Sequence, residues 1–235
     1  MNMTTLAGTI DHAILHPTVT DSAALEEIEG LKKYPLGSLC VRPSSVAATA
    51  EALSGTDIPT CTVIGFPQGT PCTSVKVFET EKAILDGATE VDMVVNIGKT
   101  LSGDWDYVHA DIAAVCAVAQ AREAMLKVIF ETDFVTEDAD KIKLCEICSE
   151  IGVDYVKTST GFGFVKGENG MAYTGAREHD VNLMRTHCPD TIGIKASGGI
   201  RTLEQALRFV ELGAGRLGTS STIAILEKAR EELGE

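Results

Sequence analysis

Apolar and polar positions in this chain fall into two alternating kinds of stretch. Short, β-branched runs are nearly continuous in apolar character: TIDHAI (9–14), SLCVR (38–42), TCTVIGF (60–66), EVDMVVN (90–96), LKVIFET (126–132), DYVKTST (154–160), TIGIKAS (191–197) and GRLGTS (215–220). That pattern is expected of parallel strands covered on both faces, because a solvated face would impose strict alternation. Between them stand longer stretches with helical spacing. In DSAALEEIEGLKKY, residues Leu25, Ile28 and Leu31 fall on one face. Pro43 opens a helical turn, Gly87 serves as a C-cap, Thr202 and Gln205 have capping-box spacing, and Gly213 stops the helix they begin. Eight strands alternating with helices, with no composition break over 1–235, predict one (β/α)8 TIM barrel that takes up the whole chain. The longest irregular stretch, GFGFVKGENGMAYTG (161–175), follows the sixth strand and is expected to cover the active face.

Composition narrows the class of partner. The chain has 235 residues, 44% apolar and 23% charged, enough to bury a core without staples; aromatics are 5%, so that core is aliphatic. A net charge of −14 argues against nucleic acid and anionic membrane, and requires any anionic substrate to be held by a local positive site. Seven cysteines, scattered and odd in number, do not form a disulfide framework. Cys145 and Cys148 form a CxxC within a helical pattern and read as helix-face residues. His109, His179 and His187 lack ligand spacing, and no cluster suggests a catalytic metal. No signal peptide or membrane-spanning run is visible, and a reducing cytoplasm fits the cysteine usage.

Candidate chemistry comes from charges in the wrong place. Lys157 sits inside the apolar run DYVKTST, Lys195 inside IGIKAS and Asp92 inside EVDMVV. Burying an ammonium or a carboxylate in a sheet is costly, so three such residues in one parallel sheet mark either a structural ion-pair set or a reactive constellation. A lysine attacks a carbonyl only as the neutral amine, which its ordinary pKa of about 10.4 makes scarce at neutral pH. Burial and a second cation both favour the amine. On adjacent strands the two lysines would lie roughly 5 Å apart. One then acts as nucleophile and the other stays protonated, with Asp92 holding that ammonium and relaying protons. The products are a Schiff base and an enamine, the chemistry of carbon–carbon cleavage beside a carbonyl. A phosphate site is suggested separately by KASGGIRT and RLGTSST, where glycine turns lead from the last two strands into helices. An isomerase would not need the lysine pair. A non-catalytic sugar-phosphate-binding barrel would not need to keep Lys157, Lys195 and Asp92.

The segments VIGFPQG, EVDMVVNIG, KVIFET, DYVKTSTGF, GIKASGGIR and RLGTSS, in this order, resemble deoxyribose-phosphate aldolase over residues 9–225. The resemblance implies a (β/α)8 barrel without metal or other cofactor. The implied reaction is reversible cleavage of 2-deoxy-D-ribose 5-phosphate to acetaldehyde and D-glyceraldehyde 3-phosphate, a step of deoxyribonucleoside catabolism. It implies Lys157 as Schiff-base lysine, Lys195 as the lysine that tunes it, and Asp92 as proton relay. Gly161, Gly198, Gly199, Ser220 and Ser221 fall at its phosphate site. Asp11, Cys40 and Thr158 fall at substrate-binding positions, although Cys40 taken alone reads as a buried strand cysteine. Family members are often homodimers. The first strand departs from the usual Asp-His-Thr-x-Leu-Lys-Pro, with Ala13 in place of Thr and His16 in place of Lys. The 162–174 segment looks longer than usual and could bring Lys166 to the substrate, and the chain ends EELGE without a terminal tyrosine. Those departures leave open a related lysine aldolase for another small aldehyde or sugar phosphate.

Overall fold

The computed structural model describes residues 1–167 and 170–234. In chain order the elements are α1 (Met3–Ala7), β1 (Ile10–Ile14), α2 (Asp21–Leu31), β2 (Ser38–Val41), a 3-10 turn (Pro43–Ser45) running into α3 (Val46–Ala52), β3 (Thr60–Ile64), α4 (Thr73–Leu85), β4 (Glu90–Val94), α5 (Ile97–Leu101), α6 (Trp105–Ala121) and β5 (Met125–Ile129). There follow α7 (Asp138–Ile151), β6 (Tyr155–Lys157), a hairpin of β7 (Val165–Gly167) and β8 (Gly170–Ala172), α8 (Glu178–His187), β9 (Gly193–Ser197), α9 (Leu203–Glu211), β10 (Ala214–Thr219) and α10 (Thr222–Leu233). Eight strands, all parallel, close into a barrel in the order β1-β10-β9-β6-β5-β4-β3-β2. Each of the eight apolar runs supplies one of them.

Local chemistry accounts for the helix ends. Thr202 and Gln205 form the capping box at α9, each satisfying a backbone N–H of the other's turn. Gly152, at φ 77°, ends α7 in the left-handed conformation that glycine adopts without strain. On α2 the buried residues are Ala24, Ile28 and Leu31, while Leu25 is exposed. Ile28 and Leu31 face the barrel as expected, and Ala24, four residues before Ile28, takes the place expected of Leu25.

The aliphatic core lies in the layer between strands and helices, with Val91, Leu126, Val128, Val156, Ile194 and Leu217 turned outward against it. Cys145 and Cys148 belong to that layer, on the inner face of α7. The barrel's own interior is largely polar. Its floor is closed by Tyr155, whose ring occupies the place where a Cβ on residue 193 would come within 2.1 Å, so Gly193 is required there. Arg216 stacks on that ring at 5.8 Å.

The 161–175 stretch is not wholly irregular. Val165 pairs with Ala172 and Lys166 with Met171 in the β7–β8 hairpin, and Phe164 meets Tyr173 edge to face at 5.3 Å. Glu168 and Asn169 lie outside the described residues. Two carboxylates after β5 anchor the ends of this segment: Glu131 accepts the Thr160 N–H at 3.2 Å, and Asp133 accepts those of Thr174 and Gly175 at 2.7 and 3.0 Å. Among the described residues no helix is long and apolar enough to cross a membrane.

Candidate active site

Parallel register decides which interior side chains meet. Lys157 on β6 is the direct partner of Lys195 on β9, and Asp92 on β4 is the partner of Lys127 on β5. Pointing inward, they converge. Lys157 Nζ lies 2.7 Å and Lys195 Nζ 2.8 Å from the same oxygen, Asp92 Oδ2, while Lys127 Nζ lies 3.0 Å from Asp92 Oδ1. Below this layer, Lys195 and Arg216 each pair closely with Asp11. Lys127 reaches Glu90 at 2.5 Å, and Arg216 closes the set onto Glu90 at 2.9 Å.

The barrel therefore holds four cations (Lys127, Lys157, Lys195, Arg216) against three carboxylates (Asp11, Glu90, Asp92) in one connected network. Burial pulls Lys195 toward neutrality, but Asp11 and Asp92 outweigh it and hold the ammonium above the usual lysine range. Lys127 is likewise buried yet held well above that range by Asp92, Cys61, Asp11 and Glu90. Burial raises Asp11 and Asp92, and the surrounding lysines more than reverse this, leaving both below the ordinary carboxylate range. Of the three lysines, Lys157 is the one with side-chain surface to spare, 5% against 0% for Lys127 and 1% for Lys195.

A cavity of about 490 Å3 opens above the network at the C-terminal ends of the strands. Asp11, Cys40, Lys157 and Lys195 lie at its base; Gly161, Gly198, Gly199 and Ser220 form one wall; Ala13, His16, Phe162, Phe164, Tyr173 and Arg201 complete the rim. Gly198 and Gly199 have φ of 95° and 77°, and a Cβ on Gly198 would come 2.9 Å from the Gly175 backbone, so the wall needs glycine to pass so close to the hairpin's end.

Several candidate residues occupy places other than those expected. The Asp11 carboxylate, although at the cavity base, is fully buried and already committed to Lys195 and Arg216. Thr158 is buried, its hydroxyl donating to the Ser197 carbonyl and accepting from the Ser197 N–H, both at 3.0 Å. It ties β6 to β9 rather than facing the cavity. Ser221 stands one position behind the lining, its N–H bonded to the Thr219 hydroxyl at 2.9 Å. Phe164 and Tyr173, not Lys166, carry the hairpin into the rim, and Lys166 is exposed.

Lys127, Glu90 and Arg216 are interior residues that the sequence reading passed over. Their signal was the one used for Lys157: a charge at an inward position of LKVIFET, EVDMVV and GRLGTS. Cys40 and Cys61 are register partners on β2 and β3, and their sulfurs and an Asp92 oxygen all lie within 4.8 Å of one another.

The sequence profile of DeoC/LacD family aldolases matches residues 5–228. The chain belongs to that aldolase family. It is 46% identical over 227 residues to a deoxyribose-phosphate aldolase of Thermococcus gammatolerans, covering 96% of each chain. It is 44% identical over 221 residues to one of Bacillus mycoides, covering 94% of each. Among solved structures, the tetrameric deoxyribose phosphate aldolase of Aeropyrum pernix superposes with a TM-score of 0.83 at 28% identity, covering 95% of this chain and 90% of that one. The chain thus has the aldolase fold, and the enzyme is a carbon–carbon lyase.

Proposed function

We propose that this aldolase reversibly cleaves 2-deoxy-D-ribose 5-phosphate to acetaldehyde and D-glyceraldehyde 3-phosphate, with Lys157 as the Schiff-base nucleophile. The observation that carries the reading is the sharing of Asp92 Oδ2 by Lys157 and Lys195, both at the cavity base, with Lys157 the more exposed of the two. Three carboxylates balance three of the four cations. A neutral Lys157 therefore leaves the network in balance, and a neutral amine is what carbonyl addition needs.

Lys157 adds to the substrate C1 aldehyde, and loss of water gives the iminium. Asp92, with Lys195 or a water, takes the C3 hydroxyl proton as the C2–C3 bond breaks and its electrons pass into the enamine, C3 becoming the aldehyde carbon of the leaving product. Glyceraldehyde 3-phosphate leaves. The enamine is then protonated at carbon and hydrolysed, which frees Lys157. The phosphate is assigned to Gly161, Gly198, Gly199 and Ser220, with Ser221 behind them at the start of α10. Backbone N–H groups and a helix N-terminus there suit an anion in an otherwise acidic protein. Asp11 acts by holding Lys195, and Thr158 by fixing the strand that carries Lys157. Ala13 and His16 on the rim favour some change in acceptor preference, toward a related small aldehyde.

Two further assignments belong to this reading. The working compartment is a reducing cytoplasm, which suits seven free cysteines. The assembly is a homodimer, for which α4 offers Val75, Phe78 and Leu85, all exposed on one face.

The test is borohydride trapping with acetaldehyde, followed by intact-mass and peptide mass spectrometry. A reduced ethyl adduct on Lys157, absent from Lys157→Ala, is the expected result. An adduct on another lysine, or none on folded protein, would overturn the assignment.

A further inference from the structure

The cavity floor carries two sulfurs that the aldol chemistry does not use, beside a carboxylate that it does. Cys40 and Cys61 stand side by side on β2 and β3 with their sulfurs within 4.8 Å of one another, and Cys61 Sγ lies 3.3 Å from Asp92 Oδ1. All three residues are buried, and Cys40 lines the substrate cavity, which gives the set an entrance. A tetrahedral ion with metal–sulfur bonds of about 2.3 Å and metal–oxygen bonds of about 2.1 Å needs ligand atoms about 3.6–3.8 Å apart. The spacing of these three atoms, none more than 4.8 Å from another, reaches that with side-chain adjustments alone.

We propose that Cys40, Cys61 and Asp92 form an inhibitory site for a soft divalent cation of the Zn2+ and Cd2+ class, entered through the substrate cavity. Two thiolates and one carboxylate select such ions over Mg2+ or Ca2+, which take oxygen ligands. The charge arithmetic favours binding. Each thiol releases its proton to solvent as its sulfur takes the ion, so two protons leave as one divalent cation enters. The network's net charge is unchanged. Lys127 sits 3.4 Å from Cys61 Sγ and 3.0 Å from Asp92 Oδ1 and must yield these contacts, but Glu90 at 2.5 Å keeps it paired. The cavity supplies the fourth ligand as water. Inhibition follows because Asp92 bound to a cation through Oδ1 is a poorer acceptor for Lys157 and for the substrate proton. The binding rests on the cysteine geometry, and only the inhibition rests on the catalytic role given to Asp92.

The experiment titrates CdCl2 into the reduced enzyme under anaerobic conditions, following the thiolate-to-cadmium charge-transfer band and aldolase activity together. The expected result is one high-affinity Cd2+ per chain, with activity lost in step with the band and MgCl2 without effect. Cys61→Ala should weaken the band's affinity by more than the roughly 10–100-fold that loss of an outer-shell partner costs. Cys72→Ser, at an exposed thiol that does not line the cavity, should change neither band nor activity. A band that survives Cys61→Ala, or follows Cys72, would place the ion elsewhere and overturn the site. Should Cys61→Ala not fold, Cys40→Ala read by the same band decides the matter. A band with the expected dependence but no loss of activity would refute the inhibition. Binding of Cd2+ that leaves borohydride trapping at Lys157 undiminished would do the same.

Discussion

Strand β4 receives a lysine on each of its faces. Outside the barrel, Lys76 of α4 donates to the Val94 carbonyl at 2.9 Å and pairs with Asp111 of α6 at 2.5 Å. Inside, Lys157 pairs with Asp92 at 2.7 Å. Both lysines are buried and both have an aspartate, yet they differ in stoichiometry and access. Lys76 and Asp111 are one cation and one anion, 0% and 1% exposed. Burial lowers the Lys76 pKa, and Asp111 offsets only part of that. The interior set has a surplus cation and a cavity above it. A closed, balanced pair fastens two helices, whereas an unbalanced network open to a ligand leaves one lysine available for chemistry.

A matched pair of substitutions tests that contrast most directly. Lys157→Met should lower kcat/KM by at least about 10,000-fold, with far-UV circular dichroism unchanged, because the nucleophile is gone. Its stability should change by less than about 1 kcal/mol, since the network loses only its surplus charge. Lys76→Met should do the reverse. Denaturant unfolding should show a loss of about 3–5 kcal/mol from the stranded Asp111, with kcat/KM within about twofold of the parent. Equal stability losses for the two would remove the distinction.

Lys195→Leu should reduce the rate at neutral pH by about 100- to 10,000-fold, by stripping Asp92 Oδ2 of one of its two ammonium partners. A full neutral rate in that variant would show the second lysine to be structural.

The pH dependence of stability sharpens the comparison further. Asp11 and Asp92 are depressed in the folded protein, so the stability they contribute is fully present above the unfolded carboxylate value of about 3.9 and is lost as pH falls below it. Lys195 and Lys127 are raised, so theirs is present below about 10.4 and is lost as pH rises through the folded values. Thermal midpoints recorded against pH should therefore fall at both extremes, and Asp11→Asn should flatten the acid limb. The smallest effect is expected of Ala13→Thr, which returns a hydroxyl to the cavity rim. One added hydrogen bond should alter KM by about 2–10-fold with little change in kcat.

Much of this was legible in sequence because a buried parallel strand is a nearly unbroken apolar run, in which a charge stands out. Lys157, Lys195 and Asp92 were found that way, and the glycine turns at 198–199 and 218 located the cavity wall. Lys127, Glu90 and Arg216 carried the same signal, but each stands first or second in its apolar run, where a charge also reads as ordinary solvation. The hairpin within 161–175 was missed because its two strands have only three residues each and lack an alternating pattern.

The sequence by itself determined the eight βα units, the strand on which each charge rides and the capping of α9, because each is set by neighbours a few residues away. Only the tertiary structure decided which charges share an oxygen, that Asp11 is spent on Lys195 and Arg216, that Thr158 and Ser221 stand behind the cavity wall, and that Cys40 meets Cys61 beside Asp92. Those outcomes depend on barrel closure and strand register, which bring side chains more than a hundred residues apart to within hydrogen-bond distance and which no local pattern encodes.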